Sequence, residues 1–65
     1  MKTWYAVMLD ASDNDWGYGS YNKRNAAKMV REARRKGNPD AYIAVIEESD
    51  ADAVCVAEIH DVRNI

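Results

Sequence analysis

The sequence predicts an α+β domain in which a single helix packs on one face of a three-stranded sheet, in the order β-α-β-β with a C-terminal antiparallel hairpin. Three apolar segments are too short for typical helices and alternate in the manner of strands. A longer segment, between the first and the second of these, carries apolar residues at helical spacing. With 65 residues, of which 48% are hydrophobic and 31% charged, the chain should fold as one small domain over residues 1–65.

The first predicted strand covers residues 3–9, and both of its faces are apolar. Alternate residues divide between the two faces, with Tyr5, Val7 and Leu9 on one and Trp4, Ala6 and Met8 on the other. Residues 10–21 then break the alternation with a run rich in Asp, Asn, Ser and Gly. That composition predicts a loop between the strand and the helix.

The predicted helix begins after Asn22, whose side chain can accept a hydrogen bond from a first-turn amide. Its apolar side is formed by Ala26, Met29, Val30 and Ala33. Gly37 supplies the left-handed residue that commonly follows a helix, and Pro39 blocks continuation. The helix is therefore expected to end just before Gly37.

The second and third predicted strands cover residues 41–48 and 53–60, with a polar turn at residues 49–52. Because only a few residues join them, they are expected to pair as an antiparallel hairpin. The first strand is expected either parallel beside the second, through a crossover, or antiparallel beside the third. The apolar character of the second strand favours a central place for it. One helix covers only one face of such a sheet, so a homodimer through the open sheet face or through an edge strand is expected to be possible.

The cellular compartment is suggested by the single cysteine, Cys55, which excludes an internal disulfide and fits a reducing environment. No signal peptide is recognised, because the apolar run after Thr3 ends at Asp10. No segment approaches the roughly 20 apolar residues that span a bilayer. These observations predict a soluble cytoplasmic protein that does not associate with membranes.

Basic residues are concentrated on the predicted helix, where seven of the nine lie between Lys23 and Lys36 beside one acid, Glu32. Four of them are spaced so that they fall within about 60° of one another on a helical wheel, opposite the apolar side. These four form the basic ridge: Arg24, Lys28, Arg31 and Arg35. The ridge is a candidate site for an acidic protein surface or a nucleic-acid backbone, or else a solvated helix face. Nucleic acid is disfavoured, because the pI of about 5.2 is far below that of typical nucleic-acid-binding domains.

Two aromatic residues of the predicted loop, Trp16 and Tyr18, form a second candidate binding site. Trp and Tyr are enriched at the energetic centres of protein interfaces. The alternative is that both residues pack over the edge of a small core. Trp16 and Tyr18 are therefore the loop residues to test for recognition.

Two ligand-binding motifs are excluded by residues of the same loop. A calcium loop beginning at Asp13 would need an oxygen ligand at Gly17, glycine at Tyr18 and glutamate at Arg24. A dinucleotide fingerprint beginning at Gly17 would need glycine at Asn22. The sequence thus predicts no cofactor and no metal.

Catalytic residues are not recognised elsewhere in the chain. Cys55 and His60 are five residues apart and would lie on opposite faces of a regular strand, which predicts a buried structural thiol and a surface histidine. Glu47 and Glu48 also alternate, so they do not converge on one substrate. Without a nucleophile–base pair, an enzyme is not expected.

Two functions from different classes remain. The first is a small, non-catalytic protein-interaction or regulatory module that binds an unknown protein through the basic ridge or through Trp16 and Tyr18. The alternative is a nucleic-acid-associated protein that uses the basic ridge for sequence-independent phosphate contacts.

Overall fold

A computed structural model describes residues 1–65 as one helix on a four-stranded antiparallel sheet. The elements in chain order are β1 (Lys2–Met8), β2 (Gly19–Ser20), α1 (Lys23–Arg35), β3 (Tyr42–Glu48) and β4 (Ala53–Ile59). Their order across the sheet is β2-β1-β3-β4, with every neighbouring pair antiparallel. The α+β class, the single helix and the C-terminal antiparallel hairpin are confirmed.

The predicted three-stranded sheet is wrong in one detail, because the loop after β1 contributes a fourth, two-residue strand. Ser20 pairs with Tyr5 and Gly19 pairs with Ala6, and the amide of Val7 donates to the carbonyl of Tyr18 at 2.7 Å. This short hairpin reverses the chain before the helix begins.

The reversal also explains why neither predicted position of the first strand is found. β1 lies antiparallel beside β3, from Lys2 opposite Glu48 to Met8 opposite Tyr42. Since β2 and β3 are both antiparallel to β1, they run in the same direction. The helix therefore crosses from β2 to β3, and β1 lies between these two strands.

The helix has the ends that the sequence predicts. The Asn22 side chain accepts a hydrogen bond from the amide of Asn25 at 3.0 Å, and Gly37 has a φ of 109°. Buried small residues of α1 allow a close approach to the sheet: Ala26, Ala27, Val30 and Ala33. The helix packs against β1, β2 and β3 and does not reach β4. With thirteen residues and seven charged side chains, it is too short and too polar to cross a bilayer.

The sheet carries a buried apolar cluster on each of its faces. The helix side contains Val7, Ala26, Ala27, Val30, Ala33, Ala41, Ile43 and Val62. The opposite side contains Ala6, Met8, Tyr42, Ala44 and Ile46, none of them more than 7% exposed. The apolar patch that suggested a homodimer through the open sheet face is therefore not exposed.

The loop between β1 and β2 helps to bury this second cluster. Trp4, which packs against the cluster, donates from Nε1 to the carbonyl of Trp16 at 2.6 Å. Near the end of β4, the His60 ring stacks on Tyr42 with a centroid distance of 4.6 Å. Trp4, the loop that bonds to it and the His60 ring thus help to cover the face that the helix leaves open.

Candidate binding surfaces

Two side chains of the basic ridge are unpaired, and the other two make hydrogen bonds or ion pairs within the protein. Arg24 and Lys28 are exposed and make no hydrogen bond or ion pair. Arg31 is half-buried and donates from Nη1 to the carbonyl of Val62 at 3.0 Å. Arg35 forms an ion pair of 2.6 Å with Glu32 one turn earlier. Only two of the four side chains are therefore free to meet a ligand.

Arg34, which lies outside the basic ridge, holds three parts of the chain together. Its guanidinium donates from Nε and Nη2 to the carbonyl of Ala41, at 3.1 and 2.9 Å, and from Nη2 to the carbonyl of His60 at 2.7 Å. These bonds join the last turn of α1 to the segment before β3 and to the end of β4. The sequence carries no signal for this role, because it depends on where two distant carbonyls lie.

Trp16 and Tyr18 do not share one surface. Tyr18 lines a shallow cleft with Leu9 and residues of the last helical turns, including Ala33. Trp16 lines a different cleft, with Trp4 on the opposite face of the sheet. The loop between β1 and β2 therefore offers two separate contact points.

The cleft beside Trp16 brings together residues from three parts of the chain. We call it the aromatic cleft; it has a volume of about 250 Å³ and is lined by Trp4, Trp16, Gly17, Tyr21, Ile46, Glu48 and Ala53. The rings of Trp4 and Tyr21 meet edge to face, with centroids 4.7 Å apart and planes inclined by 71°. The sequence did not identify three of these residues as candidates: Trp4, Tyr21 and Glu48. Their proximity depends on tertiary structure, including the pairing of β1 with β3.

Glu48 is the charged residue that lines the aromatic cleft, and Lys2, which lies opposite Glu48 in the β1–β3 pairing, lines a neighbouring cleft. Oε1 of Glu48 is buried and has no hydrogen-bond partner. Nζ of Lys2 lies 5.5 Å from the centroid of the Tyr21 ring. The nearby Glu48 carboxylate, which favours the protonated phenol, and partial desolvation raise the pKa of Tyr21.

The acidic loop residues Asp10, Asp13 and Asp15 stabilise turns. The backbone N and Oγ of Ser12 both donate to Asp10, at 2.9 and 2.6 Å, and these bonds lower the pKa of its carboxyl. Asp13 and Asp15 accept bonds from amides two residues further along the chain. No group of three or more His, Cys, Asp and Glu side chains is placed to hold a metal ion.

Cys55 is exposed, so the predicted buried thiol is wrong. A β-bulge leaves Val56 without a partner on β3, with Ala57 opposite Val45 and Cys55 opposite Ile46. The bulge changes the alternation on which the prediction relied. Ile46 faces the side away from the helix, and Cys55 opposite it lies on the outermost strand, where little covers it.

β4 is the most exposed regular element of the protein. It forms one edge of the sheet, and every residue from 53 to 58 is exposed. Val54 and Val56 keep 53% and 57% of their surface accessible. Beyond the strand, hydrogen bonds from Arg63 lower the pKa of Asp61 to about 2, so these two side chains form an ion pair.

Comparison with protein-family models, with curated proteins and with solved structures finds no match to this chain. Functional proposals therefore rest on β4, the aromatic cleft and the free part of the basic ridge.

Proposed function

We propose that the protein is a non-catalytic protein-interaction module whose interaction surface is the free edge of β4, with a second copy of the chain as the partner. The observation that carries this proposal is the exposure of six consecutive residues of β4, from Ala53 to Glu58, at the sheet edge. The outer edge of such a strand presents unpaired N–H and C=O groups that pair readily with another strand.

β4 lacks most of the features that normally protect an edge strand. Its sequence from Ala53 to Ile59 contains no proline and no lysine, and Glu58 is its only charged residue. The helix does not reach it. Its protective features are the charge of Glu58 and the bulge at Val56, which interrupts a single position of the strand.

Charges at the two ends of β4 favour antiparallel pairing with a second copy. Asp50 and Asp52 precede the strand without an ion-pair partner, whereas at its other end Arg63 pairs with Asp61 and His60 with Glu58. In an antiparallel pair, the acidic start of one strand lies beside this internally paired end of the other, so the free acids of the two copies stay apart. A parallel pair would place acids beside acids, which is unfavourable. The antiparallel pair is also a closed, two-fold arrangement.

We also propose a cytoplasmic location. The exposed thiol of Cys55 suits a reducing compartment, where it remains free. In an oxidising compartment, an exposed, unpaired thiol would form mixed disulfides.

Replacing Val54 by lysine is expected to convert a wild-type dimer into a monomer. A lysine on an edge strand opposes strand pairing, because the interface would have to bury its charge. Light scattering over a range of concentrations measures the mass, and circular dichroism checks the fold. Leu9→Lys is the matched control, since Leu9 is an exposed apolar residue outside β4. A wild-type monomer at high concentration would contradict the proposal, and equal dissociation of both variants would assign the contact to another surface.

A second candidate function, nucleic-acid binding by the basic ridge, is favoured by the exposure of Arg24 and Lys28. Two phosphate contacts predict a loss of affinity of only about tenfold between 50 and 200 mM salt, whereas four contacts predict more than about a hundredfold. Fluorescence anisotropy with labelled duplex DNA measures this slope, with Arg24→Ala combined with Lys28→Ala as the comparison. We expect weak binding with the shallow slope. Tight binding with the steep slope would make nucleic acid the better assignment.

A further inference from the structure

We propose that the aromatic cleft binds an alkylammonium group of the kind carried by a lysine side chain. The cleft is lined by the aromatic residues Trp4, Trp16 and Tyr21 and by the acid Glu48. Tryptophan and tyrosine rings attract cations through their electron-rich faces. Because the cleft lies on a sheet face and not along the outer edge of β4, this inference does not rest on the proposed function.

Two of the rings are held in place before any ligand arrives. Trp4 meets Tyr21 edge to face, and its Nε1–H is already bonded to the carbonyl of Trp16. The bond joins the strand that carries Trp4 to the loop that carries Trp16. A cleft of about 250 Å³ with fixed walls loses little freedom when a small group enters.

Glu48 determines which kind of cation the cleft suits. Its Oε1 is buried without a hydrogen-bond partner, an arrangement that is costly unless a donor is supplied. An ammonium group provides both the N–H donor and the opposite charge. A quaternary ammonium has no N–H, and a neutral apolar ligand has neither, so both leave Oε1 unsatisfied.

The chain's own Lys2 shows that an ammonium is compatible with this surface. Its Nζ lies 5.5 Å from the centroid of the Tyr21 ring but forms no ion pair with Glu48. Lys2 therefore occupies the aromatic surface without satisfying the buried oxygen. Lys2 lines the neighbouring cleft and carries the same charge as a ligand ammonium, so its removal is expected to strengthen ligand binding.

Nuclear magnetic resonance tests the site directly, because the chain has two tryptophans and hence two indole N–H signals. Titration with n-butylammonium and with N-acetyl-lysine methylamide should shift both signals along a saturable curve, with a Kd of about 1–10 mM. The first probe represents a free amine and the second a lysine within a polypeptide. The comparison ligands are tetramethylammonium, which has the charge but no N–H donor, and n-pentanol, whose hydroxyl donates but carries no charge; each should bind about tenfold more weakly or not at all.

Three variants separate the contributions of the carboxylate, the aromatic ring and the neighbouring ammonium. Glu48→Gln keeps the shape of the side chain and should weaken binding about tenfold, and Tyr21→Leu removes one ring and should weaken binding as well. Lys2→Ala should strengthen binding. Absence of a saturable shift in wild type and in Lys2→Ala, or equal binding of n-pentanol and n-butylammonium, would overturn the proposal. An unchanged affinity in a folded Glu48→Gln variant would also overturn it.

Discussion

Replacing Gly19 by alanine is expected to lower the free energy of unfolding by about 1–3 kcal/mol, a large share of the roughly 3–10 kcal/mol typical of a domain of this size. A Cβ at position 19 would overlap the carbonyl oxygen of Tyr5 and lie 2.9 Å from Cα of Ala6. Both atoms belong to the backbone of β1, so no side-chain rotation can make room. The short strand β2 would have to move away from β1.

Urea denaturation of Gly19→Ala beside Gly17→Ala measures this effect. At Gly17, a Cβ would meet only the flexible side chain of Asp15, at 3.1 Å, so the control should lose much less stability. Equal stability of wild type and Gly19→Ala would contradict the pairing of β2 with β1. A similar loss in both variants would mean that general loop effects, and not the close approach at Gly19, are responsible.

Replacing Arg34 by alanine is expected to cost about 1.5–3 kcal/mol, because hydrogen bonds from a charged donor contribute more than neutral ones. The variant loses three bonds to the carbonyls of Ala41 and His60. Lysine at this position should not restore stability, since its single ammonium cannot reproduce the guanidinium geometry. Thermal and urea denaturation measure the change.

Arg35→Ala is the matched control for Arg34. The two arginines are neighbours in the last turn of α1, but Arg35 pairs only with the exposed Glu32. Exposed ion pairs of this kind contribute about 0.3–0.5 kcal/mol. If Arg35→Ala were as destabilising as Arg34→Ala, the three carbonyl bonds would not explain the role of Arg34.

The helix and the three long strands could be predicted because their signals are local. Asn22 and Gly37 mark the ends of α1, and apolar alternation marks β1, β3 and β4. β2 could not be found in this way, because two residues carry no periodicity and their pairing depends on a distant strand. Its one visible trace is Gly19, whose missing side chain permits the close approach to β1.

The candidate surfaces were harder to predict, because they depend on tertiary contacts. The helical wheel correctly predicts that Arg24 and Lys28 of the basic ridge are exposed. It does not predict that Arg31 donates a hydrogen bond to the carbonyl of Val62. Trp16 was identified by its residue type alone. Its neighbours Trp4 and Glu48 could not be, since their proximity follows from the register of β1 and β3.

Thiol-to-thiol crosslinking through Cys55 tests the proposed pairing of two β4 strands most directly. Cys55 is the only cysteine, it is exposed, and it lies near the middle of β4. Antiparallel pairing around the middle of the strand brings the two Cys55 residues within about 10 Å of each other, which a short bis-maleimide reagent can span.

In the wild type, the yield of crosslinked dimer is expected to remain high when the protein is diluted before the reagent is added. In Val54→Lys, no crosslinked dimer is expected. A double variant, Cys55→Ser with Lys28→Cys, moves the thiol to the exposed face of the helix and should remain uncrosslinked under the same conditions. A wild-type protein that stays monomeric, or a double variant that crosslinks equally well, would contradict an interface at β4.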